Sequence, residues 1–430
     1  MKIISFNIPL NRSILFFLFL CIFGFSAFAK NPTKPTQTEA PAKEPGLIGS
    51  FFKNKEIDFF PVPVFQTRPD EGVSYGAMPV VLFSEKDTKA IKVILALIGQ
   101  YNEHKKVSFA HAGYFFPNPT GNPDQVFDYY FEWAQKFYRE AGGHYLNPHM
   151  GEHFFLEASL IWMQTPYTRF FGYGPATTDA AESDYLFNNF NTKITFGYYI
   201  LPQLRVNLSE RLLIGDVKTR AITSVADTLT NFGALPGVRD STTLVHRVSL
   251  TFDNRPTGIN SKRGTFAEIG YITSLNGFVS DATFNGYSLE AVQLIPWLKE
   301  RTITALRFSF QDLYGSNIPM YLQSTLGGDK ELRSYMPNRF VDKSKAIFQV
   351  EQRIRLIHKA IFGIPVEFYA DPFFEIGKVF NNLENFSLSD LQPVGGIGLR
   401  GVVPPNVVGR LDIGIGKNGY NVYTQLGYPF

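Results

Sequence analysis

The sequence predicts an all-β protein, a transmembrane antiparallel β-barrel of about 16 strands. Many segments of about ten residues alternate polar and apolar side chains and are separated by turn residues, which is typical of membrane-spanning strands. After residue 29, no run reaches the roughly 18 apolar residues that a membrane helix needs. A large secreted sandwich or propeller is the soluble alternative, but it gives no reason for an aromatic content of 15%. We therefore favour the barrel.

Residues 1–29 have the features of a signal peptide. Lys2 and Arg12 supply positive charge around the start of a short apolar core, and a small-x-small cleavage site ends at Ala29. The core, about 12 residues long, is too short to cross a bilayer as a helix. The 1 cysteine of the chain, Cys21, lies inside this segment. We expect an exported protein whose mature form has no thiol and no disulfide.

Residues 30–48 are expected to form a flexible linker. The segment is rich in Pro, Thr and Lys, and it has too few apolar side chains to offset the entropy of ordering the chain. From 49 to 430 the composition stays uniform, without another linker-like interruption. The sequence therefore predicts one further domain, 49–430, which is the barrel.

The alternation of side chains locates the predicted strands. In the last of them, Val422, Leu426, Tyr428 and Phe430 share one face. The predicted strands lie near 72–84, 90–101, 105–116, 126–139, 151–163, 188–200, 205–216, 244–253, 263–273, 283–296, 300–313, 344–357, 363–380, 394–402, 407–416 and 420–430. Their number is even, as expected for a closed single-chain barrel.

The lengths of the connections support this order of strands. With the N-terminus in the periplasm, the three longest connections, 164–187, 217–243 and 314–343, all fall on the outer side. The tightest turns fall on the inner side. Membrane barrels show long outer loops and short inner turns.

The longest of these loops and the strand after it form the most unusual stretch of the chain. Gly327 and Gly328 accept positive φ without steric cost. Arg333 stands alone between apolar and small residues. In the following strand, apolar and charged residues alternate strictly, so one face is apolar and the other charged. A loop of roughly 30 residues is usually functional, although a plain solvated loop is the alternative.

Two charged rows are predicted to lie side by side. Strand alternation aligns Glu351 and Arg353 in one strand, and Asp371 and Glu375 in the next. Charge on the lipid face costs about 2–4 kcal/mol at the midplane, so both rows should face the lumen. Arg333 is always charged and forks onto carboxylates, so it could meet them there. An unpaired arginine in a wet lumen is the alternative.

The sequence gives little support for catalysis or metal binding. It has no Gly-x-Ser-x-Gly elbow and no phosphate-binding Gly-Lys-Ser/Thr loop. His144, His149 and His153 lie close together, but their spacing matches no closed zinc pattern, so we interpret them as polar turn residues. We predict no enzyme, no cofactor and no metal.

The order LGG…LRSY…RFVDK…EQR resembles the loop and strand signature of the BamA/TamA-like outer-membrane barrels, the bacterial surface antigen superfamily. Ser334 stands where that family usually has glycine. Further segments similar to the family are FFGYG, DNR…RG, FFEIG, GIGLR and RLD, in the family's order. The resemblance covers residues 60–430 and fits a member without periplasmic POTRA domains.

The resemblance implies roles for particular residues. It implies that the sixth outer loop folds into the lumen and is locked there through its arginine tip. The residues of this lumenal lock would be Arg333, Tyr335, Glu351, Arg353, Glu375 and Gly377. The loop signature would comprise Gly327, Gly328, Leu332, Arg339, Phe340 and Asp342. Tyr428 and Phe430 would form the C-terminal signal for insertion.

Three functions follow from these observations as hypotheses. The first is a barrel that handles a protein or lipid through a lateral seam between its first and last strands, since glycines weaken the closing strands. The second is a passive pore or structural surface antigen that transports no protein. An outer-membrane hydrolase or acyltransferase is a third, for which we find no triad.

The expected location and partners follow from the fold and the resemblance. We expect a monomer in the outer membrane of a Gram-negative-type envelope. Its partners would be outer-membrane lipid, including a lipopolysaccharide-type outer leaflet, and the barrel-assembly machinery during insertion. A separate periplasmic partner protein is left open. We expect no nucleic acid.

Overall fold

The structure is a computed structural model that describes residues 55–430, except 89, 123, 221–223, 239, 257–260, 278, 362–363 and 404–406. The predicted signal peptide, 1–29, and the predicted linker, 30–48, lie outside the described residues. Residues Glu56–Phe430 form one unit.

The described residues form 21 strands, which divide into a 19-stranded sheet and a separate 2-stranded sheet. The strands before the long loop are β1 Lys55–Arg68, β2 Gly72–Glu85, β3 Ile91–Asn102, β4 Lys106–Phe115, β5 Val126–Ala134, β6 Arg139–Met150, β7 Phe154–Phe170, β8 Ser183–Leu201, β9 Leu204–Lys218, β10 Ala226–Asp227, β11 Ser241–Asp253, β12 Gly264–Ser274, β13 Phe284–Trp297 and β14 Thr302–Tyr314. Those within and after it are β15 Ser324–Leu326, β16 Phe340–Asp342, β17 Ser344–Ile361, β18 Ile364–Phe380, β19 Gln392–Val403, β20 Val407–Gly416 and β21 Gly419–Leu426.

Helical structure is confined to short segments of the connections. The α-helix α1 spans Thr228–Phe232, and Asp227 caps it by accepting a hydrogen bond from the Leu229 backbone N–H at 3.0 Å. Three 3-10 turns lie at Asp179–Ala181, Met320–Leu322 and Leu383–Asn385. Within the described part of the chain, no helix is long and apolar enough to cross a membrane.

The large sheet is built almost entirely from antiparallel neighbours in sequence. β1 pairs with β2, and each long strand from there pairs with the next, with β9 joined to β11 and β14 to β17. The two-residue β10 is the exception, because it pairs parallel to β8 through Ala226 and Ser183. The prediction of an all-β fold with a large antiparallel sheet is confirmed.

Three strands of the sheet are absent from the prediction of about 16: the two-residue β10 and the long strands β1 and β6. β1 contains Pro61 and Pro63, which argue against a strand because proline cannot donate to the ladder. β6 contains Gly142, Gly143 and Pro148, and the prediction instead extended the preceding strand to 139, whereas β5 ends at Ala134. The long loop is consequently the seventh connection at its end of the sheet and not the sixth.

The two faces of the sheet differ in chemistry. One face, here called the apolar face, carries large exposed apolar side chains: Phe131, Trp133, Trp162, Ile194, Phe196, Tyr198, Leu208, Phe348, Phe374 and Ile397. The opposite face, here called the charged face, carries buried ionic and polar groups on β17 to β20. In β17 the two alternate, since Gln349 and Glu351 are buried while Phe348 is 41% exposed. This is the period-2 pattern of a strand between two environments.

The two ends of the sheet also differ. At one end, here called the loop end, lie the long connections 171–182, 219–240, 315–343 and 381–391. Three of them pack together in an apolar cluster that contains Phe170, Phe187, Val238, Met320 and Val341. The opposite end, here called the turn end, has mostly short turns, such as 202–203, although 116–125 is longer.

Candidate functional site

The connection 315–343, here called the long loop, lies over the charged face of β14 and β17 to β21. Its path depends on two glycines, Gly327 at φ +111° and Gly328 at φ +119°, and a Cβ at Gly327 would collide with the Met336 carbonyl oxygen. Leu332 also has a positive φ, 51°, and is fully buried. The tightly turned segment between these residues presents Arg333 to the sheet.

Arg333 is fully buried among carboxylates of three strands. Its Nε donates to Glu375 Oε1 at 2.8 Å, and its NH1 donates to Glu351 Oε1 at 2.7 Å and lies 3.3 Å from Asp412 Oδ1. Its backbone N–H also donates to Glu375 Oε2 at 2.7 Å. The guanidinium carbon lies 3.4 Å from the centre of the Phe373 ring. Burial opposes the charge of Arg333, but Glu375, Glu351 and Asp412 hold its pKa above the ordinary value.

Strand register brings the carboxylates together. Gln349 of β17 stands opposite Glu375 of β18, and Glu351 stands opposite Phe373. Gln349 Nε2 donates to Glu375 Oε1 at 2.7 Å. The two charged rows anticipated from alternation therefore face the same side of the sheet, and Arg333 lies on top of them.

Three further ionic residues of this group come from β19 and β20. Arg400 NH1 donates to Asp412 Oδ1 at 2.6 Å, and its Nε lies 3.1 Å from Asp371 Oδ2. Arg410 NH1 donates to Asp412 Oδ2 at 2.7 Å, and its NH2 pairs with Asp329 of the long loop. Sequence reasoning did not place Arg400, Arg410 or Asp412 at this site. Their alternation within GLR and RLD was the available signal, but alignment with Glu351 depends on the register of four strands.

Two further residues of the expected lock are Tyr335, which belongs to the tip, and Gly377 of β18. The Tyr335 hydroxyl donates to Gln392 Oε1 at 2.9 Å, and the Tyr335 carbonyl accepts from the Tyr423 hydroxyl at 2.5 Å. Gly377 lies where a Cβ would come 3.1 Å from the Ala346 carbonyl oxygen. The tip thus contacts both the middle and the last strand of this part of the sheet.

The tip also lies directly against β20. A Cβ at Gly414 would collide with the Arg333 carbonyl, and a Cβ at Gly416 would collide with the Ser334 side chain. The Ser334 carbonyl in turn accepts from Asn421 Nδ2 at 2.6 Å. These two glycines allow the loop backbone to approach the sheet closely.

The later residues of the loop signature lie apart from the tip, and one of them, Arg339, binds the long loop to connection 171–182. Arg339 NH2 pairs with Asp179 Oδ1 at 2.9 Å and donates to the Thr177 carbonyl at 2.7 Å. Phe340 is the first residue of β16 and Asp342 the last, and β16 pairs with β15 in the small sheet. Arg333 and Arg339 are six residues apart in the sequence, but they contact different parts of the protein.

The C-terminal residues depart from the prediction. The last strand was expected to reach 430 with Tyr428 and Phe430 on the apolar face, but β21 ends at Leu426. Gly427 takes a φ of +83°, which turns the chain away, and Pro429 cannot continue the ladder. Tyr428 then packs against the buried residues Tyr369, Val402 and Val408.

Phe430 reaches the same side of the sheet. Arg353 NH2 donates to the Phe430 carbonyl at 3.1 Å, and its guanidinium carbon lies 3.9 Å from the Tyr428 ring centre. The Phe430 ring packs against a cluster of β13 and β14 residues: Val292, Leu294, Ile303 and Ala305. Arg353 thereby joins the C-terminal residues to Glu351, to which it also donates at 3.4 Å.

A second buried polar group, missed from the sequence, lies at the loop end of β1 to β7. Lys105 Nζ pairs with Glu71 Oε2 at 2.8 Å, lies 3.8 Å from Glu132 Oε1, and sits 3.6 Å from the centre of the Tyr138 ring. Asn102 Nδ2 donates to the Glu71 carbonyl at 3.0 Å and so links the β1–β2 turn to the β3–β4 turn. A turn lysine that folds inward carries no sequence pattern.

The three histidines noted in the sequence do not converge. His144 contacts Asp128 at 2.8 Å and Glu157 at 3.5 Å, whereas His149 stacks on Tyr199. No group of three or more His, Cys, Asp or Glu residues among the described residues could hold a metal ion.

Comparisons with known proteins agree with the fold. Residues 144–406, more than half of the chain, match the Omp85 superfamily domain. No curated protein matches the sequence significantly. Among solved structures, BamA from Haemophilus ducreyi lacking POTRA domains 1–3 is similar at a TM-score of 0.50 and 13% identity, over 86% of this chain and 75% of that chain.

Two CdiB structures are also similar. CdiB from Escherichia coli aligns at a TM-score of 0.47 and 10% identity, over 86% of this chain and 62% of its own. CdiB from Acinetobacter baumannii aligns at a TM-score of 0.42 and 11% identity, over 87% of this chain and 60% of its own. At such identities the BamA likeness concerns the fold alone.

Proposed function

The chain belongs to the Omp85 superfamily, and on this premise we propose that it is an outer-membrane barrel that handles a protein or lipid substrate at a lateral seam. The same relationship implies an outer-membrane location. The seam would lie between β1 and β21, not between β2 and β21 as the sequence suggested, because β1 precedes the predicted first strand. The charged face would line the lumen, and the apolar face would contact lipid.

The observation that carries this proposal is the limited hydrogen-bonding capacity of the two strands that would form the seam. β21 has 8 residues, and its ladder partners among the described residues are all in β20. Pro61 and Pro63 stand two apart in β1, so both missing donors fall on one edge of that strand. Such a junction would open at lower cost than its neighbours, since each ladder bond contributes about 0.5–1.5 kcal/mol.

Electrostatic neighbours support closure at this junction. The charges of Asp70 and Arg68, from the β1–β2 hairpin, act on the Tyr423 hydroxyl of β21, and Asp329 of the long loop acts on Arg68. The first hairpin and the last strand therefore lie near each other at the loop end. In this arrangement Arg333 would lock the long loop inside the lumen, and the loop would obstruct a permanent pore.

Cysteine cross-linking tests the seam. In a Cys21→Ser background, Phe65→Cys would be combined in turn with Val422→Cys and Thr424→Cys. The matched control is Ile413→Cys with Val422→Cys, because these residues are direct partners between β20 and β21. Oxidation across the seam should reproduce the envelope defect of a strain lacking the protein, and a reductant should reverse it. The control disulfide should have no effect.

Two results would contradict the proposal. The first is a seam disulfide that forms fully without any defect, and the second is a seam that never cross-links while the control pair does. Conductance in planar bilayers addresses the passive-pore alternative, because a stable, porin-like conductance is incompatible with a loop locked in the lumen.

Barrels of this superfamily are generally transporters or assembly factors rather than enzymes, and we assign this chain no catalytic residue.

A further inference from the structure

An unusual lysine occupies the apolar face of β18. Lys378 stands directly opposite Ala346, and the next pair on the same face joins Ile376 to Phe348. Lys378 therefore shares a face with Phe348 and Phe374, which are 41% and 42% exposed. Charge on such a face is unfavourable in lipid, even though the cost falls towards the interfaces. Lys378 is nevertheless only 4% exposed.

The connection 381–391 accounts for its burial. Lys378 Nζ donates to the Ser387 carbonyl at 3.2 Å, to Ser387 Oγ at 3.0 Å and to the Ser389 carbonyl at 2.8 Å. Three acceptors satisfy the three donors of an ammonium group. Because Lys378 precedes the end of β18 by two residues, the connection must turn back along the apolar face to reach it, instead of extending beyond the sheet.

Aromatic contacts hold the connection in the same place. The Phe386 ring meets the Phe380 ring edge to face, with centroids 5.3 Å apart and planes at 72°. Phe380 in turn lies 6.4 Å from Phe310 of β14. The connection therefore rests on the apolar face of β18 near its loop end, and Phe380 lies between it and β14.

What the connection presents outward is apolar. Leu383 is 54% exposed, Phe386 39% and Leu388 77%. Lys378 lies four residues from Phe374, or about 13 Å along a strand at 3.3 Å per residue. The exposed side chains of the connection thus lie towards the loop end from Phe374, beside the charged side chain of Lys378. Segments that lie in an interface combine this apolar surface with polar anchoring.

We propose that connection 381–391 is a membrane-interface anchor that inserts Leu383, Phe386 and Leu388 into the lipid of the outer leaflet. The occupant is lipid because the exposed side chains continue the lipid-facing band, and this connection covers a lysine on that band. The proposal rests on the membrane-spanning barrel proposed above, and it adds a lipid contact outside the strands. Lys378 is the residue that fixes the anchor to the barrel.

Depth-dependent fluorescence quenching tests the anchor. In a Cys21→Ser background, the full chain would carry a single environment-sensitive thiol label at Leu388→Cys and be reconstituted in phospholipid vesicles with brominated acyl chains. Phe348→Cys serves as the positive control on the apolar face. Ala234→Cys, an exposed residue in connection 219–240, serves as the negative control. We expect quenching at position 388 to approach that at 348 and to exceed that at 234 several-fold.

The outcomes separate the two proposals. Strong quenching at 348 with none at 388, and free access of iodide to 388, would overturn the anchor alone. Absence of lipid quenching at 348 as well would overturn the membrane barrel itself. Lys378→Met should release the connection and lower quenching at 388 several-fold while leaving 348 unchanged. Undiminished quenching in that variant would contradict the anchoring role of Lys378.

Discussion

At the scale of single residues, two arginines of the long loop differ in what surrounds their partners. Arg333 is enclosed with Glu351, Glu375 and Asp412, all fully buried. Arg339 is also buried, but the side chain of its partner Asp179 is 68% exposed. Removal of either arginine leaves a carboxylate without its cationic partner. Only the carboxylates around Arg333 are then also shielded from water.

Arg333→Ala should therefore destabilise the protein more than Arg339→Ala. Loss of one partner of a buried ion pair costs about 3–5 kcal/mol, whereas an exposed pair contributes about 0–1 kcal/mol. The free energy of unfolding in urea, followed by the heat-modifiable shift on gels, measures both. Arg333→Lys should fall between wild type and Arg333→Ala, because an ammonium cannot fork onto several carboxylates. Equal losses for the two alanine variants would refute the inward tip.

Glu331 predicts a pH dependence. Burial opposes its ionisation, but Lys345 Nζ at 2.7 Å and Arg307 NH1 at 3.0 Å outweigh burial and hold its pKa below the ordinary value. A lowered folded-state pKa stabilises the protein fully above the unfolded value, about 4.3 for glutamate. The contribution is lost as pH falls through the lower folded pKa.

Glu331→Gln isolates this contribution. The difference in unfolding free energy between wild type and variant should be constant above about pH 4.3 and shrink below it. Urea titrations at several pH values measure the difference. A difference that grows on acidification would show that the sign of the pKa shift is wrong.

At the scale of strands, the glycines of β20 have different structural roles. Sequence reasoning treated the glycines near the C-terminus as weakening the closing strands. In the structure, Gly414 leaves room for the backbone of Arg333, whereas the nearest atom to a Cβ at Gly409 is the Gly401 carbonyl oxygen at 3.9 Å. Close approach of the long loop therefore requires glycine at 414, as it does at 416, but not at 409.

Gly414→Ala should displace the tip of the long loop, and Gly409→Ala should not. The first substitution forces a Cβ into the loop backbone, so we expect a loss of unfolding free energy on the order of the 1–3 kcal/mol typical of overpacking. The second should stay within about 0.5 kcal/mol, as for a tolerated surface change. Equal effects would mean that strand propensity, and not the loop, explains the loss.

Phe430 tests two roles of the C-terminal residues. We predict that deletion of Phe430 abolishes insertion into the outer membrane while export continues. As an insertion signal, Phe430 would act before folding, so Arg353→Ala should leave insertion intact. As a packing element only, Phe430 would be needed for the contact with Arg353 and the β13–β14 cluster, so both variants would lose stability alike. Quantification of each variant in the periplasm and outer membrane distinguishes these results.

The strands also show what sequence can predict. Alternation in β17 separates Phe348 from Gln349 and Glu351 because a strand has period 2, so the two faces follow directly. β1 and β6 were not predicted as strands because Pro61, Pro63 and Gly142 disfavour isolated strands. Pairing with neighbouring strands overrides that preference. Arg400 and Arg410 were not predicted as site residues because their contacts depend on the register between strands, which no local pattern encodes.

At the scale of the whole molecule, the contacts of the long loop are unevenly spread along the chain. The tip at Arg333 reaches Glu351 and Glu375, which are 18 and 42 residues away. Arg410 reaches the loop across 81 residues. The base of the loop, at Arg339, instead meets Thr177 across 162 residues. One loop therefore joins near and distant parts of the sequence.

The sequence separation of these contacts predicts the order in which they form during folding. Closing a longer stretch of chain costs more entropy, and contacts between distant residues form more slowly. The C-terminal strands and the tip they surround should thus assemble first, and the contact with connection 171–182 should follow. During refolding, a thiol at Ser334→Cys should become protected from pulse labelling before one at Val238→Cys, in the apolar cluster of the loops. Protection in the reverse order would show that the N-terminal strands assemble first and the C-terminal strands close around them.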